Sequence, residues 1–420
     1  MTKKHYSIAT IVLILIGIIL MFELVRDSMR NGDFIGYLNA GNAVLDGKNI
    51  YLDQYNTWPP FFSIFSVILA FFDNLSCVFI KFIWLLGSVL SMFFIINESI
   101  KLIFNKSISF KKNYGTILIQ NPIILIPLLI VLRFVIDNLA NLQINIYMLL
   151  CSLLSIVFFI KKKYMWVGFL LGLTISLKVY TIFFLFYFLI KREFKPVLWT
   201  FVFLIGFNSI SFLVFGYEQT IIYYQQWVTE IAPKSYIANH NNQSIFGSFL
   251  RFFTSENSNI NLHVNVLDLK PYAAKKLTYL SIILFAIFPA VLLRKKLVDK
   301  SSFNSILEYS LLFIIVPLLS PIAWKAYFIF LWIPYFVLYI SLFKAQNELK
   351  SLTIIVLKFL FYLSIVFTVF STEAVIGHYY SDILEAYSVI TIGTLILLFI
   401  TLFLITKSDK LDVKKLVSST

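Results

Sequence analysis

The sequence predicts an all-α, polytopic membrane protein, and three observations carry the prediction: composition, the length of the apolar runs, and the placement of the charges. Of the 420 residues, 60% are hydrophobic and only 13% are charged. Soluble domains run at about 45–50% and about 25% respectively. Mean hydropathy is +0.86. One water-surrounded core cannot bury so much apolar surface, so lipid must be the solvent. A spanning helix needs about 20 apolar residues, and runs such as 7–25, 197–215 and 351–370 supply that length.

Lysine and arginine gather in short clusters between the runs, at 3–4, 101–112, 161–163, 191–195, 294–300, 344–350 and 407–415, each net positive. Segments 26–56 and 216–271 instead hold three basic and four acidic residues each, and 371–386 holds three acidic and no basic residues. Basic enrichment marks cytoplasmic loops. The basic clusters and both termini are therefore expected on the cytoplasmic side, and the three sparse segments outside. The formal charge of +14 then reads as membrane topology over anionic lipid, not as a nucleic-acid partner.

About thirteen apolar runs are long enough to consider against the spanning length. Two cytoplasmic termini require an even number, which predicts about twelve spans, with 58–72 and 115–132 as the short runs. Segment 164–190 has basic residues at both ends but is only one and a half spans long, which predicts two short helices with a turn near Lys178. The run 7–25 is expected to be a retained span, because Glu23, Arg26 and Asp27 follow it without a small-residue cleavage site. Cys77 and Cys151 lie in apolar stretches, and the outward loops carry no cysteine, so no disulfide framework is implied. The expectation is one membrane domain, 1–420, with large outward loops at 26–56 and 216–271, in a bacterial cytoplasmic membrane.

In the first outward loop, Tyr37, Ala40, Gly41, Val44 and Leu45 recur on one helical face, and Gly47 is a stop signal. This short helix should lie on the membrane surface. Asp33 opens it. Its carboxylate could cap the helix, or it could be a general base that takes the proton of an attacking hydroxyl. Trp58-Pro59-Pro60 leads back into lipid, where the tryptophan suits an interfacial anchor.

Taken together, Gly32-Asp33-Phe34, Tyr37, the short helix, Gly47 to Tyr51 and Trp58-Pro59-Pro60-Phe61 resemble the start of glycosyltransferase family 87. These are polytopic, polyprenol-phosphate-mannose-dependent transferases of the GT-C superfamily. The resemblance implies a GT-C-like bundle with short interfacial helices in its outward loops. It also implies a catalytic acidic residue in the first outward loop, at Asp33. Trp58 stands where the family commonly has tyrosine.

Ionisable groups within spans cost roughly 2.5–3.5 kcal/mol and are usually functional. Lys178 is such a group. Its ammonium could snorkel to the interface or bind a donor phosphate, and the similar family segment, Gly-Leu before a lysine, favours phosphate. The stretch 320–327 presents Trp324 and a second cation, Lys325, after the helix-breaking Pro321. The family shows a serine and a histidine where this chain has Ala323 and Ala326-Tyr327. In the second outward loop, Asn242, Gln243, Ser244 and Arg251 match a family pattern. Amides and hydroxyls there suit sugar hydroxyls, and Arg251 suits phosphate; an ordinary solvated loop is the alternative. Gln143 and Asn145 resemble a family Gln-x-Asn segment, with Leu142 in place of glycine, and are assigned to helix packing.

The expected arrangement is thus Asp33 as base, with Lys178, Arg251 and Lys325 at the donor phosphate. Arg30, Tyr37, His240, Asn242, Gln243, Ser244, Trp324 and Tyr327 are the expected sugar or acceptor contacts. His5, His240, His263 and His378 show no metal-ligand spacing. No Walker loop or dinucleotide fingerprint is present, so no metal or cofactor is expected. The partners expected are a polyprenyl-phosphate sugar, a lipid or glycan acceptor, and membrane lipids. The alternative class is a transporter or lipid-linked saccharide flippase, which should show paired half-chain repeats; none is visible.

Overall fold

The structure, a computed structural model, describes residues 21–407 other than 23, 54–55, 74–75, 105–121, 236, 257, 261, 298 and 348, together with 411 and 412. It is helical almost throughout. Gln346–Asn347 and Leu411–Asp412 form a two-residue antiparallel pairing. Among the described residues, seven helices are long and apolar enough to cross a membrane: Cys77–Phe104, Ile123–Ala140, Phe194–Phe215, Pro271–Leu293, Lys325–Phe343, Ser351–Thr368 and Val389–Thr406. Shorter apolar helices accompany them, at Pro60–Asp73, Asn145–Ile160, Tyr164–Leu177, Val179–Ile190 and Phe303–Leu319. This is the predicted polytopic bundle. Nearly all of the expected span at 7–25, and the start of the run at 115–132, lie outside the described residues.

Lys325–Phe343 is the axis of the bundle. It begins as a 3-10 turn, Lys325–Leu331, continues as an α-helix from Trp332, and is almost wholly buried. Phe194–Phe215 and Pro271–Leu293 lie at the periphery and expose most of their apolar side chains. In water such surface would be a liability; against acyl chains it costs nothing.

Tyr164–Leu177 and Val179–Ile190 form the predicted reversal, with Lys178 at its apex. Lys300 Nζ reaches both ends, donating to Tyr164 Oη at 3.3 Å and Glu193 Oε2 at 2.8 Å. The 14-residue rising arm is about 21 Å long at 1.5 Å per residue, short of a hydrocarbon core of about 30 Å. Gly168 and Gly172 let the hairpin pack against Phe194–Phe215. A Cβ on Gly168 would lie 2.3 Å from the Trp199 backbone, and one on Gly172 would lie 2.8 Å from Phe203 Cβ. Lipid supplies no hydrophobic drive between helices, so such close backbone approach is what holds them together.

The loops sort into the same two groups that charge placement separates. Asp33 meets Asn141, Asn242 bonds Pro321 and Gln243 bonds Glu385. In the other group, Lys191 bonds the Lys295 carbonyl, Lys300 bonds Glu193, and Gln346 pairs with Asp412.

Candidate active site

The first loop folds as the predicted short helix, Phe34–Leu45, and ends where Gly47 takes a positive φ of 63°. Tyr37, Ala40 and Gly41 of the expected face are buried, whereas Leu45 is exposed. Asp33 occupies the N-cap position, yet its side chain makes no capping bond. Its Oδ2 instead accepts a hydrogen bond from Gln143 Nε2. The carboxylate is thereby directed away from its own helix and toward the helices of the bundle.

Two left-handed residues make this possible. Gly32 (φ +49°) lies so close to the turn at 141–143 that a Cβ would sit 2.6 Å from Asn141 O. Asp33 N can then donate to that carbonyl, at 3.0 Å. On the opposite side Leu142 also has φ +49°. A non-glycine residue there costs about 1–3 kcal/mol. The turn is held in place by Trp84 Nε1, which donates to Leu142 O at 3.2 Å, and by Gln143 N, which donates to Asn138 O at 2.9 Å. Leu142 is the position where the resembled motif has glycine.

From Gln143 a chain of polar contacts runs inward. Asn145 Nδ2 donates to Gln143 Oε1 at 3.1 Å. Asn145 Oδ1 accepts from Tyr180 Oη at 3.0 Å and from Lys178 Nζ at 3.5 Å. Lys178 caps the rising arm in extended conformation, which turns its side chain into the bundle, where it is 5% exposed. Its ammonium lies 5.1 Å from the centroid of the Tyr327 ring, a cation–π distance, and Tyr180 packs on the same ring at 5.0 Å. Burial raises the Asp33 pKa above the ordinary carboxylate value, while the charge of Lys178 and the bond from Gln143 pull it down.

Lys178, Tyr180, Tyr327, Trp58, Trp227 and Pro321 line a cavity of about 360 Å³. Phe183 and Leu319 are shared between its wall and that of an apolar groove of about 390 Å³, which runs between Val179–Ile190, Pro271–Leu293 and Phe303–Leu319. A charged, aromatic chamber therefore adjoins a channel with apolar walls.

The fold brings Asp33, Lys178 and Tyr327 together, as expected, and adds Gln143, Asn145 and Tyr180. Sequence reading assigned Gln143 and Asn145 to packing, although the Gln-x-Asn spacing was visible. Trp58 is a wall of the cavity, in edge contact with Tyr37 at 4.9 Å and stacked on Phe62 at 4.4 Å.

Other expected contacts are placed differently. Arg251 is 1% exposed and four of its five N–H donors are engaged: Nε donates to Ala386 O, Nη1 to Asn239 O and Asn242 O, and Nη2 to Ser388 Oγ. With these donors turned to the protein, it does not line the cavity beside Lys178. Lys325 pairs with Glu385 at 2.9 Å and Glu373 at 3.3 Å, so its charge is compensated outside the cavity. Asn242, Gln243 and Ser244 are buried, and they bond to Pro321, Ala323, Glu385 and one another's neighbours. They fasten the 216–271 segment to the 320–323 turn. Tyr37 is wholly buried among Phe34, Trp58, Phe62 and Trp84. Arg30 points to the surface beside Asp27 at 3.5 Å. Trp324 is half-buried at the start of the axial helix, and His240 contacts Ser258 O and Asp382.

The model of glycosyltransferase family 87 matches residues 56–321, more than half of the chain. The match includes Trp58, Gln143, Asn145, Lys178 and Pro321; Asp33 and Tyr327 lie beyond its ends. No curated protein and no solved structure matches the chain. The family model agrees with the resemblance carried by the loop motifs and decides between transferase and transporter. The chain belongs to glycosyltransferase family 87 and is a membrane glycosyltransferase of GT-C type.

Proposed function

We propose that the enzyme transfers a hexose or pentose, with mannose the leading candidate, from a polyprenyl-phosphate sugar to a hydroxyl of a lipid- or glycan-linked acceptor. Transfer takes place at the outer face of the cytoplasmic membrane and inverts the anomeric configuration. The observation that carries this reading is the chain of contacts Asp33–Gln143–Asn145–Lys178 beside a cavity that shares walls with an apolar groove. The groove suits a prenyl chain, which it would hold by close packing, since lipid supplies no hydrophobic drive. The cavity suits the phosphate and sugar.

Lys178 offsets the phosphate charge as the bond from anomeric carbon to phosphate oxygen breaks. Tyr327 flanks it with an aromatic face, and Tyr180, which donates to Asn145, packs against that ring. Asp33 takes the proton of the acceptor hydroxyl, whose oxygen bonds to the anomeric carbon from the face opposite the leaving phosphate. A base works best when its pKa approaches the working pH, and burial of Asp33 moves it in that direction. Arg251 and Lys325 are not needed at the phosphate.

The test is Asp33→Asn in reconstituted membranes, with a panel of labelled prenyl-phosphate sugars. Loss of a general base lowers turnover by about 10²–10⁴-fold. The wild-type rate should fall as pH drops through the Asp33 pKa, which burial raises, since only the ionised form accepts a proton. Wild-type turnover in folded Asp33→Asn would remove Asp33 from catalysis.

A further inference from the structure

The second and last outward segments meet at a cluster that the transfer reaction does not use. His240, Asp382 and Glu385 each present one potential ligand atom, and the three atoms lie within 4.8 Å of one another. His240 is more than 140 positions from Asp382 and Glu385 in sequence, which is why ligand spacing gives no sign of the three together. His240 Nδ1 lies 2.8 Å from Ser258 O. A carbonyl can only accept, so Nδ1 carries the proton and Nε2 is left for a second partner. Nε2 faces Asp382 Oδ1 at 3.6 Å, beyond hydrogen-bond range. Two ligands at about 2.0–2.2 Å from one tetrahedral ion stand roughly 3.3–3.6 Å apart. A ring whose other N–H is fixed by a backbone carbonyl is also the usual arrangement of a metal-bound histidine.

The third ligand supplies an independent sign. Glu385 is 0% exposed. Its Oε1 takes Lys325 at 2.9 Å and Arg133 at 3.0 Å. Its Oε2 is buried and, among the described residues, meets no donor. A buried carboxylate oxygen without a partner costs about 1–3 kcal/mol or more, and a cation would remove that cost. Around this point four carboxylates, Asp137, Glu373, Asp382 and Glu385, face three cations, Arg133, Lys325 and Arg251, which leaves a net negative charge for a bound cation to offset.

We infer that His240, Asp382 and Glu385 bind a divalent transition-metal ion of the zinc or manganese kind, which ties the second outward loop to the helix His378–Ala386. One imidazole nitrogen with carboxylate oxygens and no thiolate suits these ions better than calcium or magnesium, which prefer oxygen alone. The ion is distinct from the Asp33–Lys178 chamber and acts by fastening loops.

The experiment uses the full chain, without an affinity tag, in nanodiscs and stripped by chelator. Zn²⁺ and Mn²⁺ are titrated against a chromophoric competitor, and thermal unfolding is followed in parallel. A single tight equivalent and a raised melting temperature are expected. His240→Ala and Asp382→Asn should each weaken binding by more than the roughly 10–100-fold typical for loss of an outer-shell partner. His378→Ala, which removes an exposed neighbour of Asp382, should weaken it by no more than that outer-shell factor. Asp382→Asn keeps size and shape, so the test survives if the His240 variant misfolds. The inference is overturned if the folded wild type takes up neither ion tightly, if the Asp382 variant keeps wild-type affinity, or if His378→Ala alone abolishes binding.

Discussion

Gly32→Ala tests the geometry of the site without touching a reacting group. The new Cβ would lie 2.6 Å from Asn141 O and 2.7 Å from Asn141 C, against ordinary contacts of 3.4 Å or more. The loop must therefore lift by about 0.8 Å, the difference between those distances. Alanine in the left-handed region costs about 1–2 kcal/mol, and loss of the Asp33 N to Asn141 O bond about 0.5–1.5 kcal/mol. A stability loss on the order of 2–3 kcal/mol follows. The larger effect falls on rate. Asp33 moves with the loop while Gln143 stays with its turn, and a misplacement of about 1 Å costs on the order of 10²-fold. Initial rates of transfer from a labelled prenyl-phosphate sugar, measured beside melting curves, should show kcat down by about that factor with the donor KM little changed. Lys178 and the cavity walls keep their places. Turnover within about threefold of wild type, under 1 kcal/mol of barrier, or a loss expressed only in KM, would refute the docking of Asp33 onto the 141–143 turn.

Asn145→Leu strands Gln143 Oε1 and Tyr180 Oη and removes an acceptor from Lys178, at about 1–3 kcal/mol for each buried orphan; a lower melting temperature with a higher donor KM is expected, and kinetics with unfolding curves check both. Arg251→Gln should lower the melting temperature sharply through loss of charge-assisted bonds worth about 1.5–3 kcal/mol each, while the folded fraction keeps its donor KM. A raised KM without loss of stability would return Arg251 to the phosphate.

The membrane class, the reversal at Lys178 and the short helix after Asp33 were legible because each rests on a local pattern: apolar run length, charge at both ends of a run too short to span, and a 3.6-residue period closed by glycine. The pairing of Asp33 with Lys178 was legible only as shared sidedness, since charge counts assign faces but not neighbours. Gln143 was within reach, because the turn needs a left-handed residue just before it and the resembled motif has glycine at that position. Leucine there hid the signal. Arg251 was misassigned for a physical reason. It lies in the short apolar helix Ile245–Phe253, and nothing local reveals that Asn239, Asn242, Ala386 and Ser388 converge on its guanidinium. Burial of an arginine by carbonyls from distant segments leaves no periodicity to read. The same is true of His240, Asp382 and Glu385.

The short hairpin also bears on a side reaction. An activated sugar phosphate is as open to water as to an alcohol, and water is far more abundant at a membrane surface. Because the arm below Lys178 is about 21 Å long, short of a hydrocarbon core of about 30 Å, a donor bound as proposed, with its phosphate at the apex, would lie between the aromatic walls of Trp58, Trp227 and Tyr327. In that proposed position the walls, rather than any single residue, would limit how much water meets the donor and so restrain its wasteful cleavage.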